Sequence, residues 1–262
     1  MSSDAPLLVS HEGGVTVLQL NRPAQRNALV QEIKTALPGA LDAFFNDPAQ
    51  RCLLVAGVGD CFCAGGDVSS FGQKVPPDVN QRRIESTQNW ARKLLTGAKP
   101  VVMAVNGPAV GAGFGLSMLG DIIIASQRAF FQPGFAGVGM CPDGLLGITL
   151  QRAVGAPRAR EILLTNRKVA AEEAARLGLV SRVVADDALF DEAMNTARLL
   201  AEAPQPATGL TKTLLRAATD VDLDGYCKME AAFQAIAMGS DDHAEGVAAF
   251  FEKRRPLFGK TS

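Results

Sequence analysis

Short, wholly apolar runs alternate with stretches of helical spacing over the first two-thirds of the chain, and this alternation restricts the fold more than any other feature. Leu53–Ala56, Pro100–Val105, Asp121–Ala125 and Leu179–Val184 read as buried strands. Leu7–Leu20 reads as a hairpin turning at Glu12-Gly13-Gly14. Between them, Ala28–Phe45 places Leu29, Ile33, Leu37, Leu41 and Phe44 on one helical face, and Val79–Leu95 is a charged amphipathic helix. Pro38-Gly39 lies inside the first of these helices and should weaken or kink it. Gly111–Leu119 reads as a helix of small residues, and Leu145–Val154 as another helix. Beyond Asp186 only helical patterns follow: Ala188–Ala203, Thr208–Thr219, Leu223–Met238 and Asp241–Arg254. Strands alternating with helices predict stacked α/β layers, here with an all-helical tail.

Composition removes several classes of function. With 47% hydrophobic residues in 262, the chain can bury a large core. A formal net charge of -1 gives no global field to attract nucleic acid or an anionic membrane. Val110–Ala125 is the longest apolar stretch, and Gly111, Gly113, Gly115 and Asp121 interrupt it, so no membrane span is expected. Met1–Leu8 lacks the basic-then-apolar run of a signal peptide, and the last residues carry no peroxisomal address. A cytoplasmic location is the expectation. The five cysteines are odd in number and scattered, which predicts free thiols. Cys61-x-Cys63 is the one close pair, and with only His11 and His243 in the chain no metal site is expected.

Gly111-Ala112-Gly113-Phe114-Gly115 follows a strand and opens a helix. Its spacing is G-x-G-x-G, and no acidic residue follows on a strand about 20 positions later, so it does not make a dinucleotide fingerprint. Close packing through small residues is one alternative. Another is an oxyanion site, in which a backbone N–H at the start of this helix is joined by one from Cys63-Ala64-Gly65-Gly66-Asp67. Spacing alone does not pair the two segments.

Taken together, the motifs resemble the enoyl-CoA hydratase/isomerase (crotonase) family almost end to end. Asn21-Arg22-Pro23 with Arg26-Asn27-Ala28-Leu29 is similar to its first motif, Phe62–Asp67 to one oxyanion loop and Asn106–Gly113 to the other. Glu245-Gly246, Ala249-Phe250 and Glu252-Lys253-Arg254 are similar to its C-terminal signature. The resemblance implies a crotonase (ClpP-like) spiral of ββα units over residues 1–200, and a C-terminal helical trimerisation region over 201–262. It implies an acyl-CoA thioester as substrate and partner, coenzyme A being part of that substrate, with no separate cofactor, and a homotrimer or dimer of trimers. By position, Ala64 and Ala112 would supply the two oxyanion N–H groups. Arg26, Ala28, Ala64, Gly65, Gly66, Asp67, Gly111 and Lys253 would contact substrate.

Two glutamates share the work in the resembled hydratases, and this chain carries Gly115 and Gly134 at those places. Neither can move a proton through a side chain. Asp143 is the remaining acid, in Pro142-Asp143-Gly144. Those residues also make a turn, and Asp is a favoured helix N-cap. The resemblance to the family's enoyl-CoA isomerases, whose single acid stands at this place, puts catalysis by Asp143 ahead. The expected reaction is 3-enoyl-CoA to 2-enoyl-CoA isomerisation. The alternatives are an enoyl-CoA hydratase, an enzyme using Asp143 as a nucleophile, and a non-catalytic acyl-CoA-binding scaffold. Asp67 and Asp121 read as structural, His243 as a solvated helix residue, and Trp90 and Tyr226 as core or interface.

Overall fold

A computed structural model describes residues 5–67, 72 and 75–259. The expected hairpin is present: β1 (Leu7–Glu12) and β2 (Val15–Leu20) pair antiparallel, with Gly13 and Gly14 both at positive φ in the turn. From β2 onward the main sheet is parallel, running through β3 (Cys52–Gly57), β4 (Val101–Val105), β6 (Ile122–Ser126) and β9 (Arg182–Val184). The strands β3 and β4 are buried along their whole length. This explains why they appear in the sequence as unbroken apolar runs.

A second sheet was not foreseen. It joins β5 (Pro108–Val110) and β7 (Phe130–Gln132) in parallel, with β8 (Val169–Ala170) antiparallel to β7. Two or three residues are too few to leave a periodic pattern. Each turn of the spiral therefore lays one strand in the large sheet and the next in the small one, β4 then β5, and β6 then β7. The small sheet extends through single bridges, Cys63 to Ala109 and Leu29 to Gly66. These bridges bring the segment after β3 and the entry to the first helix alongside β5.

The first helix, α1 (Gln31–Asn46), continues through Pro38 without interruption. It buries Ile33, Leu37, Leu41 and Phe44, together worth roughly 6–12 kcal/mol, against the ~3 kcal/mol that an interior proline costs. The carbonyl that Pro38 leaves unpaired belongs to Lys34, an exposed residue. The helix α2 (Pro77–Thr96) buries Trp90, Ala91 and Leu94. A six-residue helix, α3 (Ala112–Ser117), follows β5 with five of its residues buried, and Phe114 packs at 5.3 Å on Phe131 of β7.

The next helix, α4 (Leu146–Thr165), is longer than the sequence suggested and breaks at Gly155, where φ is 76°. After α5 (Ala171–Leu177), α6 (Leu189–Ala201) covers the far face of the main sheet with Leu189, Ala193, Met194, Ala197 and Ala201. The helix α7 (Gln205–Ala217) docks through Lys212, which donates to the Asp121 carboxylate at 2.7 Å and to the Leu94 and Lys99 carbonyls. Asp121 also accepts from the Val101 amide, the structural part expected of it. The helix α8 (Leu223–Met238) has no buried residue, and α9 (Asp241–Glu252) has one, Ala249. Among the described residues no helix is long and apolar enough to cross a membrane.

Candidate active site

Asn27 joins the first motif to the loop after β3. It is fully buried with φ at 55°, in the left-handed region that asparagine tolerates better than most residues. Its side chain accepts from the Arg22 amide at 2.8 Å and donates to the carbonyls of Val58 and Cys61 at 3.0 and 2.7 Å. The loop leaving β3 is thereby fixed, and Leu29 then donates to the Gly65 carbonyl at 2.7 Å.

The two glycine-bearing segments meet backbone to backbone. Cys63 donates to Pro108 at 3.1 Å, and Val110 donates back to Cys63 at 2.9 Å. A Cβ at Gly65 would stand 2.7 Å from the Val110 carbonyl oxygen and 3.4 Å from the Ala112 nitrogen. A Cβ at Gly113 would lie 2.1 Å from the Cys63 carbonyl oxygen. Glycine is required at both places for the loops to touch. The pairing that spacing left open is therefore present.

Within the first bend the amides are spent unequally. Ala64 donates to the Arg26 carbonyl at 2.9 Å, so the donor expected at Ala64 is occupied within the fold. The Gly65 amide turns toward the Cys63 sulfur. Among the described residues the Gly66 amide has no hydrogen-bond partner, nor has that of Ala112, the first residue of α3. In that bend it is the Gly66 amide and not that of Ala64 that the fold leaves open. Burial pushes the Cys63 thiol up to about 12 and raises that of Cys61, so neither is a thiolate.

Asp143 lies one helical turn further along α3. A Cβ at Gly115 would stand 3.4 Å from the Asp143 carbonyl oxygen and 3.2 Å from that of Gly144. The side chain does not cap α4, whose N-cap is Leu145 with no side-chain bond. The Asp143 main-chain carbonyl accepts from Leu146 instead, at 3.1 Å. Its Oδ1 is buried without a hydrogen-bond partner. Burial raises the carboxyl above the usual range, while the Lys34 ammonium and the residue's own amide draw it back. A buried, unpartnered carboxylate oxygen with a raised pKa is what a general base at neutral pH requires.

The family model described as enoyl-CoA hydratase/isomerase matches residues 10–261. The chain belongs to the enoyl-CoA hydratase/isomerase family. It is 37% identical over 255 residues to the 1,2-epoxyphenylacetyl-CoA isomerase of Escherichia coli (strain K12), covering 96% of this chain and 97% of that one. The crystal structure of an enoyl-CoA hydratase from Polaromonas sp. JS666 superposes with a TM-score of 0.92 at 32% identity, over 96% of this chain and 99% of the other. That of an enoyl-CoA hydratase/isomerase from Cupriavidus metallidurans CH34 gives 0.92 at 33% identity, with both chains covered in full. The fold is the crotonase fold.

The other site residues expected of an enoyl-CoA hydratase/isomerase are distributed unevenly. Gly65 and Gly111 lie at the loop contact, a Cβ on Gly111 standing 3.9 Å from the Gly65 Cα. Asp67 is half-buried beside them, and residues 68–71 that follow it lie outside the described residues. Arg26 is exposed beside the bend, and Ala28 is half-buried. Lys253 ends α9 in the left-handed region, and no contact among the described residues links it to either loop. Gly134, at φ 75°, sits against Gly111 with its Cβ position 3.4 Å from that amide nitrogen. Sequence reasoning missed Asn27 as the stitch and Lys34 as the charge facing Asp143. The Arg26-Asn27 pair was visible, but its left-handed conformation was not.

Proposed function

We propose that the chain isomerises a 3-enoyl-CoA thioester to the conjugated 2-enoyl thioester, with Asp143 as the one proton shuttle. The observation that carries this reading is the orphaned Oδ1 of Asp143, on the flank of the short helix whose first amide is free. The Asp143 carboxylate takes the proton from C2. The electron pair moves into the carbonyl and across the double bond, giving a dienolate. The amides of Gly66 and Ala112 hold the oxygen on which charge builds, which favours the transition state over the ground state. Asp143 then returns the proton at C4, and the double bond settles between C2 and C3. No group is consumed.

Arg26, exposed and without an ion pair among the described residues, is suited to a coenzyme A phosphate. Lys253 would reach a thioester only where assembly brings it to another subunit's site. The exposed apolar faces of α8 and α9 support such an assembly, a homotrimer or dimer of trimers.

The deciding variant is Asp143→Asn, assayed by 2-enoyl formation from a 3-enoyl-CoA. A loss of about 10²–10⁴-fold is expected, and an undiminished rate would overturn the reading. Hydration is the second reading, supported by the name of the Polaromonas structure. It predicts that crotonyl-CoA is hydrated well above the Asp143→Ala background. Glycine at 115 and 134 argues against it.

A further inference from the structure

Gly115 lies in the body of α3, where its φ is ordinary and alanine would be the better helix former by about 1 kcal/mol. Local helix structure therefore gives no reason for glycine here. The reason lies across the contact, in the turn that carries Asp143.

That turn has little room to move. The Asp143 carbonyl is held by the Leu146 amide at 3.1 Å. Gly144 and Leu145 follow one another in the left-handed region, at φ 60° and 64°. Leu145 is a bulky residue in that conformation, which is costly and persists only when its surroundings enforce it. Its carbonyl accepts from both the amide and the hydroxyl of Thr149 at 3.1 Å. A methyl group at 115 would meet the Gly144 and Asp143 carbonyl oxygens at 3.2 and 3.4 Å. Both atoms are main chain, and that of Asp143 is tied to the Leu146 amide, so relief of the contact turns the residues that carry the carboxyl.

We infer that Gly115 is a positioning residue for Asp143: bare backbone at 115 lets the turn approach α3 and so sets how deeply the carboxyl sits. The inference rests on Asp143 being the acid.

The test is Gly115→Ala in the full chain, assayed with a 3-enoyl-CoA. We expect kcat to fall about tenfold, as a shift of a few tenths of an ångström in a reacting group allows. KM should be nearly unchanged. The acid limb of the kcat–pH profile should move to lower pH, because a displaced Asp143 meets water. Gly209→Ala on α7, crowded against Ala98, serves as a packing control that loses stability without moving the limb. Wild-type kcat and acid limb in Gly115→Ala, with Asp143→Asn inactive, would overturn this inference alone. Full activity in Asp143→Asn would overturn the reading beneath it. Should Gly115→Ala not fold, Leu145→Gly relaxes the same turn without crowding, and an unmoved acid limb there overturns the inference.

Discussion

The Ala64 amide donates to the Arg26 carbonyl at 2.9 Å, so the residue whose place in the motif marks it as a donor spends its N–H inside the fold. Arg26 reaches that position because it and Asn27 both take left-handed φ, at 51° and 55°. Two residues after Ala64, the Gly66 amide has no partner among the described residues, and neither has the Ala112 amide across the loop contact. A proline substitution at Ala112 tests the proposed donor role of this arrangement.

Ala112 is the first residue of α3, where proline is compatible with a helix because the N–H has no helical partner. Ala112→Pro should therefore keep the fold while removing one oxyanion donor. The expected loss in kcat is about 10²–10³-fold, the usual size for one such donor. Circular dichroism alongside steady-state kinetics checks it. An unfolded variant would contradict the helix-start argument, and unchanged kcat the donor role.

Asp143 has its carboxyl raised from 3.8 by burial, partly offset by Lys34. As the proposed base, Asp143 works in its ionised form, so kcat should rise with pH through the raised value. Lys34→Met removes the offset and should move that limb further up. Stability follows the opposite course. Between its unfolded and folded values Asp143 binds more protons in the native state, so stability falls as pH rises through that window. Asp143→Asn should accordingly raise Tm at neutral pH even as turnover falls, with the Tm gain fading in acid. Thermal melts at several pH values measure it.

Asn27 makes three hydrogen bonds from a fully buried site. Asn27→Leu would strand the Arg22 amide and the Val58 and Cys61 carbonyls. At roughly 1–3 kcal/mol for each unsatisfied buried group, a loss of about 3 kcal/mol or more is expected. Urea unfolding reads this directly, and a loss below 1 kcal/mol would show that water replaces the side chain.

Phe250 and Phe251 on α9 are each 78% exposed, and Leu223 at the start of α8 is 76% exposed. Large apolar side chains this exposed on a lone chain favour association. The double variant Phe250→Glu, Phe251→Glu should shift the sedimentation coefficient from that of an oligomer to that of a monomer. A wild-type chain that already sediments as a monomer would refute the assembly.

Much of the architecture was legible because burial writes itself into composition. The runs at Leu53–Ala56 and Pro100–Val105 are apolar throughout since both faces of a parallel sheet are covered, and the helices after Asp186 keep a steady period. The short strands β5, β7 and β8 left no trace, as two or three residues cannot show alternation. The continuity of α1 past Pro38 was also hidden, because four buried side chains outweigh a local penalty that the sequence displays more plainly.

The chemistry divides along the same line. Sequence alone determined that this chain has no side chain at 115 or 134 able to carry a proton and that Asp143 stands in a turn, since these are matters of residue type and order. Tertiary structure decided that the two glycine bends touch, that Ala64 is spent and Gly66 free, and that the Asp143 carboxyl lies buried without capping α4. An amide or a carboxylate takes its role from whichever partner lies within about 3 Å, and those partners come from segments tens of residues apart.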